Sequence, residues 1–253
     1  MKTCISAFSF RCWYFLPFLL SGLCHHSNAE EALVHARFRV FSTTSSVHEL
    51  FFYTLEEGQE EAVLRSIKIR QNDASARQNY RGRGTRLKIF CRNSDSEKES
   101  LRVCSELNFP DGKNGEYLIL LIPEAEGATK AFRSIVISEQ EKLFPFRYLW
   151  FHNLTDLPIA LEIGSTRLGL KPNSRKLQSL DSIYQSLENE GAYGHGTIPL
   201  RAAVRTSQSA EDEKWRMAYK NRWFLHRSGR HHIFILPSGK NGIRVFRMSE
   251  TLG

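Results

Sequence analysis

Tyr117-Leu118-Ile119-Leu120-Leu121-Ile122 is apolar at every position and ends at Pro123. A run apolar on both faces reads as a central strand covered on each side, and it is expected to be the best-protected piece of the first half. Working outward, the dominant period is two. Phe38 and Val40 alternate with Arg37 and Arg39, and Leu87 and Ile89 with Arg86 and Lys88. Ile198, Leu200, Ala202 and Val204 alternate with Pro199, Arg201, Ala203 and Arg205. Such segments are strands with one face buried and the other wet. Gly164-Ser165, between Ile159–Ile163 and Thr166–Leu170, is a tight hairpin with glycine leading the turn.

About fourteen candidate strands at short, regular spacing predict an all-β fold of two antiparallel, Ig-like β-sandwich units. A single larger sandwich of interleaved sheets is the alternative. The expected division falls in the polar patch Ser138–Lys142, giving a leader at 1–29 and units at 30–140 and 141–253. Leu180 to Glu190 is the best helix candidate, and Ser207 to Glu213 a second. Without a sustained 3.6-residue stripe, both are expected to be loop. No internal repeat is evident.

The first 29 residues carry a secretory pattern. Lys2 and Arg11 precede or enter an apolar run, Cys12 to Leu20, and Ser27-Asn28-Ala29 ends in small residues suited to cleavage after Ala29. The run is too short to span a bilayer, and no other segment approaches that length. The expected location is secreted or periplasmic. Lipid attachment at Cys24 is not expected, because Leu23 stands where a small residue is needed. Loss of the leader leaves 33 basic and 27 acidic residues, formally +6. That surplus suits anionic polymers, although evenly spread solubilising charge explains it as simply.

Cys91 and Cys104 are the cysteines left beyond the leader, and in an oxidising compartment they are candidate disulfide partners. Cys91 shares the face of Leu87 and Ile89, whereas Cys104 lies opposite Leu101, Val103 and Leu107, so pairing requires a bulge or an irregular strand end. The bond would close a loop of ~14 residues and stabilise by about 3 kcal/mol.

Catalytic and metal signatures are absent: there is no His-Glu-x-x-His, Cys-x-x-Cys, Gly-x-Ser-x-Gly or phosphate-cradling loop. Gly82-Arg83-Gly84 has Leu87 where a dinucleotide fingerprint needs its third glycine. His195 sits in a glycine-rich loop, 191–197, that reads as a tight connection. His231 and His232 alternate across a strand and so cannot share one ion. One of them joining His226 or His152 would need a proximity that the sequence does not supply, and surface or half-buried histidines are expected. Trp215, Met217, Tyr219, Trp223 and Leu225 form a stripe expected to be core, as do Phe144, Phe146, Tyr148 and Trp150. Asn153-Leu154-Thr155 is a sequon that matters only in a eukaryotic secretory pathway.

The best binding candidate is the basic segment 77–88. Arg77, Arg81 and Arg83 offer guanidinium forks for phosphate or sulfate, and Tyr80 a ring for stacking.

Phe146-Arg147-Tyr148-Leu149-Trp150-Phe151-His152-Asn153-Leu154-Thr155, with Ile159–Ile163, Gly164 and Leu168-Gly169-Leu170-Lys171-Pro172-Asn173, resembles uncharacterised secreted bacterial β-sandwich proteins. Trp215 to Trp223 and Ile233-Phe234-Ile235-Leu236-Pro237 resemble that group's closing strands. The resemblance spans roughly residues 36–249 and brings no catalytic residue. It implies an exported all-β protein of unknown activity. The function expected is non-enzymatic: a structural or interaction role in the cell envelope, with no cofactor. The alternative is a carbohydrate- or anionic-polymer-binding module using segment 77–88. Expected partners are an envelope protein or an anionic polysaccharide rather than nucleic acid.

Overall fold

The period-two segments are strands. The computed structural model describes residues 33–251 apart from 45–48, 71–72, 93–99, 111–113, 126, 141, 190–196, 206–213 and 240–241. The leader, His195 and the 207–213 helix candidate lie outside the described residues. The first half carries β1 (Leu33–Ser42), β2 (Glu49–Leu55), β3 (Ala62–Lys68), β4 (Gln78–Arg83), β5 (Arg86–Arg92), β6 (Leu101–Asn108), β7 (Gly115–Pro123) and β8 (Phe132–Ser138). The second carries β9 (Tyr148–Asn153), β10 (Ile159–Ile163), β11 (Thr166–Leu170), β12 (Arg175–Ser179), helix α1 (Leu180–Asn189), β13 (Ile198–Arg205), β14 (Trp215–Trp223), β15 (Arg230–Ser238) and β16 (Gly242–Glu250). The fold is all-β.

The strands form four sheets. Sheet I is β4-β1-β7-β8, sheet II β3-β2-β5-β6, sheet III β12-β9-β15-β16 and sheet IV β11-β10-β13-β14. Pairing is antiparallel except for β1 with β7 and β9 with β15. Counted from the start of each half, the strand orders coincide: 4-1-7-8 and 3-2-5-6, with the first and seventh strands parallel. The repeat is one of topology, carried by residues too different to show it in the sequence.

Three apolar clusters join the sheets. Tyr117, Ile119 and Leu121 of β7 enter the cluster shared by sheets I and II. Leu118, Leu120 and Ile122, from the other face of the same strand, meet Phe234, Leu236 and Met248 of sheet III. That double coverage is what the unbroken apolar run requires. β15 does the same from the opposite side, with Ile233 and Ile235 in the cluster of sheets III and IV and α1. Each large side chain fully removed from water contributes about 1.5–3 kcal/mol before entropy is counted.

Several expectations need correction. Residues 180–189 are helical, because Leu180, Ile183, Tyr184 and Leu187 do form a short i, i+3, i+4, i+7 stripe into the core. Ser179 caps the helix by accepting from the Asp181 amide at 3.2 Å. The β14 stripe is core only at Trp223 and Leu225, while Trp215 and Met217 are exposed. A register shift opposite Ala202 and Ala203 skips Ala218, turning the start of the strand over. A second shift, at Ile89/Phe90, skips Cys104 and brings its buried thiol onto the core face. The bulge that pairing requires is therefore built, yet Cys91 and Cys104 are free thiols, Cys104 donating to the Ile89 carbonyl at 3.4 Å. Burial pushes that thiol's pKa up, and neighbouring Cys91 adds to the rise.

The sequon asparagine is wholly buried. Its amide donates to the Leu157 and Lys171 carbonyls, both at 2.8 Å, and its carbonyl accepts from the Thr155 hydroxyl at 2.8 Å. Asn153 staples the β9–β10 connection and presents nothing for a glycan.

Candidate functional site: the arginine cleft and the buried seam

Sheet I is apolar where it meets sheet III and polar beyond that seam. On the polar part, β4 and the start of β1 put Arg81 opposite His35 and Asn79 opposite Arg37. Here a cleft of about 1220 Å³ opens, lined from β1, β2, β3, β4 and the start of β7. Four arginines line it, Arg37, Arg65, Arg77 and Arg81, together with Glu56, Glu57 and Glu116.

Three of these arginines are neutralised. Arg37 reaches Glu116 at 3.0 Å, and Arg77 reaches Glu116 at 2.8 Å and Glu250 at 3.3 Å. Arg65 pairs with Glu56. Arg81 differs: among the described residues it has no carboxylate partner, and its Nε is buried without a hydrogen bond. An unpaired buried donor on a cation costs several kcal/mol unless something accepts from it. The backbone around Arg81 is fixed, since its amide donates to the Thr54 hydroxyl at 2.9 Å and so ties edge strand β4 to sheet II.

The basic segment is thus divided. Arg77 and Arg81 line the cleft, and exposed Arg83 lies outside its lining. Tyr80 lies at the cleft wall, but its ring packs in the core against Phe109 at 5.5 Å and its hydroxyl donates to the Arg86 carbonyl at 3.1 Å. The stacking role read for Tyr80 is corrected, because alternation along β4 turns residue 80 inward and residue 81 outward.

Beside the cleft, Arg77 leads into a buried network that sequence reasoning missed. Arg39 donates to both oxygens of Glu139, at 2.8 and 2.5 Å, and to Glu250 at 2.7 Å. Arg230 reaches Glu250 at 2.9 Å. His232 lies 3.1 Å from Glu139, and His152 lies 3.1 Å from His232. Glu139, His152 and His232 are fully or almost fully buried. Burial alone would raise the Glu139 carboxyl, but hydrogen bonds from His232 and Arg39, with the charge of Arg39, hold it at about 2. Burial drives both His232 and His152 below their ordinary value. His232 is therefore neutral near pH 7, and what it supplies to Glu139 is an N–H donor.

The two adjacent histidines do point apart, but both are buried rather than half-exposed. His231 meets Ser249 at 2.8 Å on the far side, and burial lowers its pKa to about 4. Among the described residues, no cluster of three or more His, Cys, Asp or Glu side chains is arranged to hold a metal ion. No described helix is long and apolar enough to cross a membrane.

No family model matches this chain, and no curated protein matches it. Among solved structures, it is similar to a leucine-rich repeat protein from Bacteroides thetaiotaomicron at 10% identity and a TM-score of 0.20. That match covers 80% of this chain, which spans about a quarter (25%) of the length of the other.

Proposed function

We propose that this chain is an exported, non-enzymatic protein of two β-sandwich units that acts by binding an anionic group in the arginine cleft. Acidic polysaccharide is the substrate class that fits an envelope location, as the leader pattern at residues 1–29 suggests. The repeated eight-strand order supports reading the halves as two units of one topology. One observation carries the binding reading: Arg81 has a buried, unpartnered Nε in a cleft whose other three arginines already hold carboxylates. A carboxylate or sulfate entering there would complete its guanidinium fork.

The test is binding of the purified protein to an array of neutral, carboxylated and sulfated glycans, at low and physiological salt. Retention of acidic glycans at physiological salt supports the cleft. Binding confined to low salt reduces it to general electrostatics.

A second reading, contact with an envelope protein, is favoured by edge strand β14, which leaves Trp215 and Met217 exposed. Cross-linking in the native envelope distinguishes it from glycan binding.

A further inference from the structure

We propose that the seam between sheets I and III is an acid-sensitive latch, closed by the Glu139–His232–His152 chain and released when a proton enters it. The seam's apolar cluster is the smallest of the three. The polar chain lies beside that cluster, and its Glu139–His232 contact crosses from the end of β8 to β15.

One arrangement of protons satisfies the chain. The Glu139 carboxylate accepts from His232 Nε2–H, and His232 Nδ1 then accepts from His152 Nε2–H. His152 Nδ1 is left as a bare lone pair, buried and without a partner. A neutral imidazole tolerates this, because a lone pair facing apolar groups costs less than a charge. A proton added to His232 places N–H against N–H. A proton added to His152, or relayed to it by a tautomer shift, creates a buried donor with nothing to accept it.

The surroundings oppose the added charge from nearly every side. Arg39 of β1 and Arg230 of β15 face His232, and Arg175 of β12 faces His152. Among the described residues, Glu139, after β8, is the one acid bonded to these histidines, and it is already shared with Arg39. Glu250 of β16 is occupied by Arg39, Arg77 and Arg230. Phe144, Trp150 and Phe234 supply apolar walls. Arg247 and His226 act on His231, across the strand from the seam.

Opening the seam would hydrate both imidazoles and let each take a proton. The opening constant should then rise about tenfold per pH unit below 6.5 for each histidine, or roughly a hundredfold for the pair. The strands of sheets II and IV carry no part of this chain and should hold.

Hydrogen exchange of the purified protein at pH 7.5 and 5.5, corrected for intrinsic exchange, tests this. Peptides covering 142–153 and 230–238 should lose protection about a hundredfold, while 159–170 and 198–205 do not. The variant His152→Phe keeps an aromatic ring at that position and should cut that acid response to about tenfold, the share left to His232. Equal protection at both pH values, or an unchanged acid response in the variant, overturns the latch. Histidine nitrogen shifts in the unmodified protein give a reading independent of how the variant folds. Both imidazoles should remain neutral Nε2–H tautomers until protection falls. Titration of either near 6.5 with protection intact also overturns the proposal.

Discussion

Replacing Glu139 by Gln keeps its volume and one carbonyl oxygen but removes the charge that two donors share. Arg39 loses a bidentate partner and faces an amide NH2 in its place, at a position 7% exposed. Breaking a buried ion pair by removing one partner costs about 3–5 kcal/mol. Glu250 remains 2.7 Å from Arg39, which places the expected loss toward the lower end, about 3 kcal/mol. For a chain of this length that corresponds to a fall in Tm of about 6–12 °C. The comparison variant is Glu116→Gln, whose pairs with Arg37 and Arg77 are partly in water and should each cost less than about 1 kcal/mol. Urea unfolding of both variants at pH 7.5 measures the difference. If Glu139→Gln loses no more than Glu116→Gln, the network is not a buried, dry one and the reasoning is wrong.

Acid should weaken the fold in two steps. His231 is held at about 4, below its ordinary 6.5, so its stabilisation is full above 6.5 and is lost as pH falls to about 4. The amount is ~3 kcal/mol, and urea midpoints of His231→Gln should show a correspondingly shallower pH slope. Glu139, held at about 2 against an ordinary 4.5, adds a similar loss between pH 4.5 and 2, absent from Glu139→Gln. Gly82→Ala drives a methyl into the Tyr80 ring and should lower stability by about 1–3 kcal/mol, whereas Gly169→Ala, with open space at that site, should cost less in the same thermal scan. Asn153→Asp turns a carboxylate oxygen toward the Leu157 and Lys171 carbonyls and should cost about 3 kcal/mol by urea unfolding.

What could be read beforehand was local. The two-sided apolar run of β7 and the Gly164-Ser165 hairpin follow from pattern and turn chemistry, and Gly164 has the positive φ of 57° its place in the turn demands. The helix at Leu180 offered only one pass of a stripe over ten residues, too brief to stand out. The Trp215 and Cys104 faces were misread because a bulge shifts the period by one residue without changing composition. The seam network was out of reach for another reason. His152 and His232 are 80 residues apart and meet through the parallel β9–β15 register, which no hydrophobic pattern announces. Arg81 was named with Arg77 and Arg83, but its separation from them depends on which arginines find carboxylates in three dimensions.

The binding reading rests on Arg81, so the deciding measurement compares Arg81→Ala with Arg83→Ala for affinity to a sulfated and a carboxylated polysaccharide at physiological salt. Loss of a charged hydrogen-bonding partner at the cleft should weaken Kd about 10- to 100-fold in Arg81→Ala. Arg83→Ala, outside the cleft, should stay within about threefold of the unmodified protein. Equal weakening in both variants, or none in either, would contradict the assignment of the cleft as the binding site.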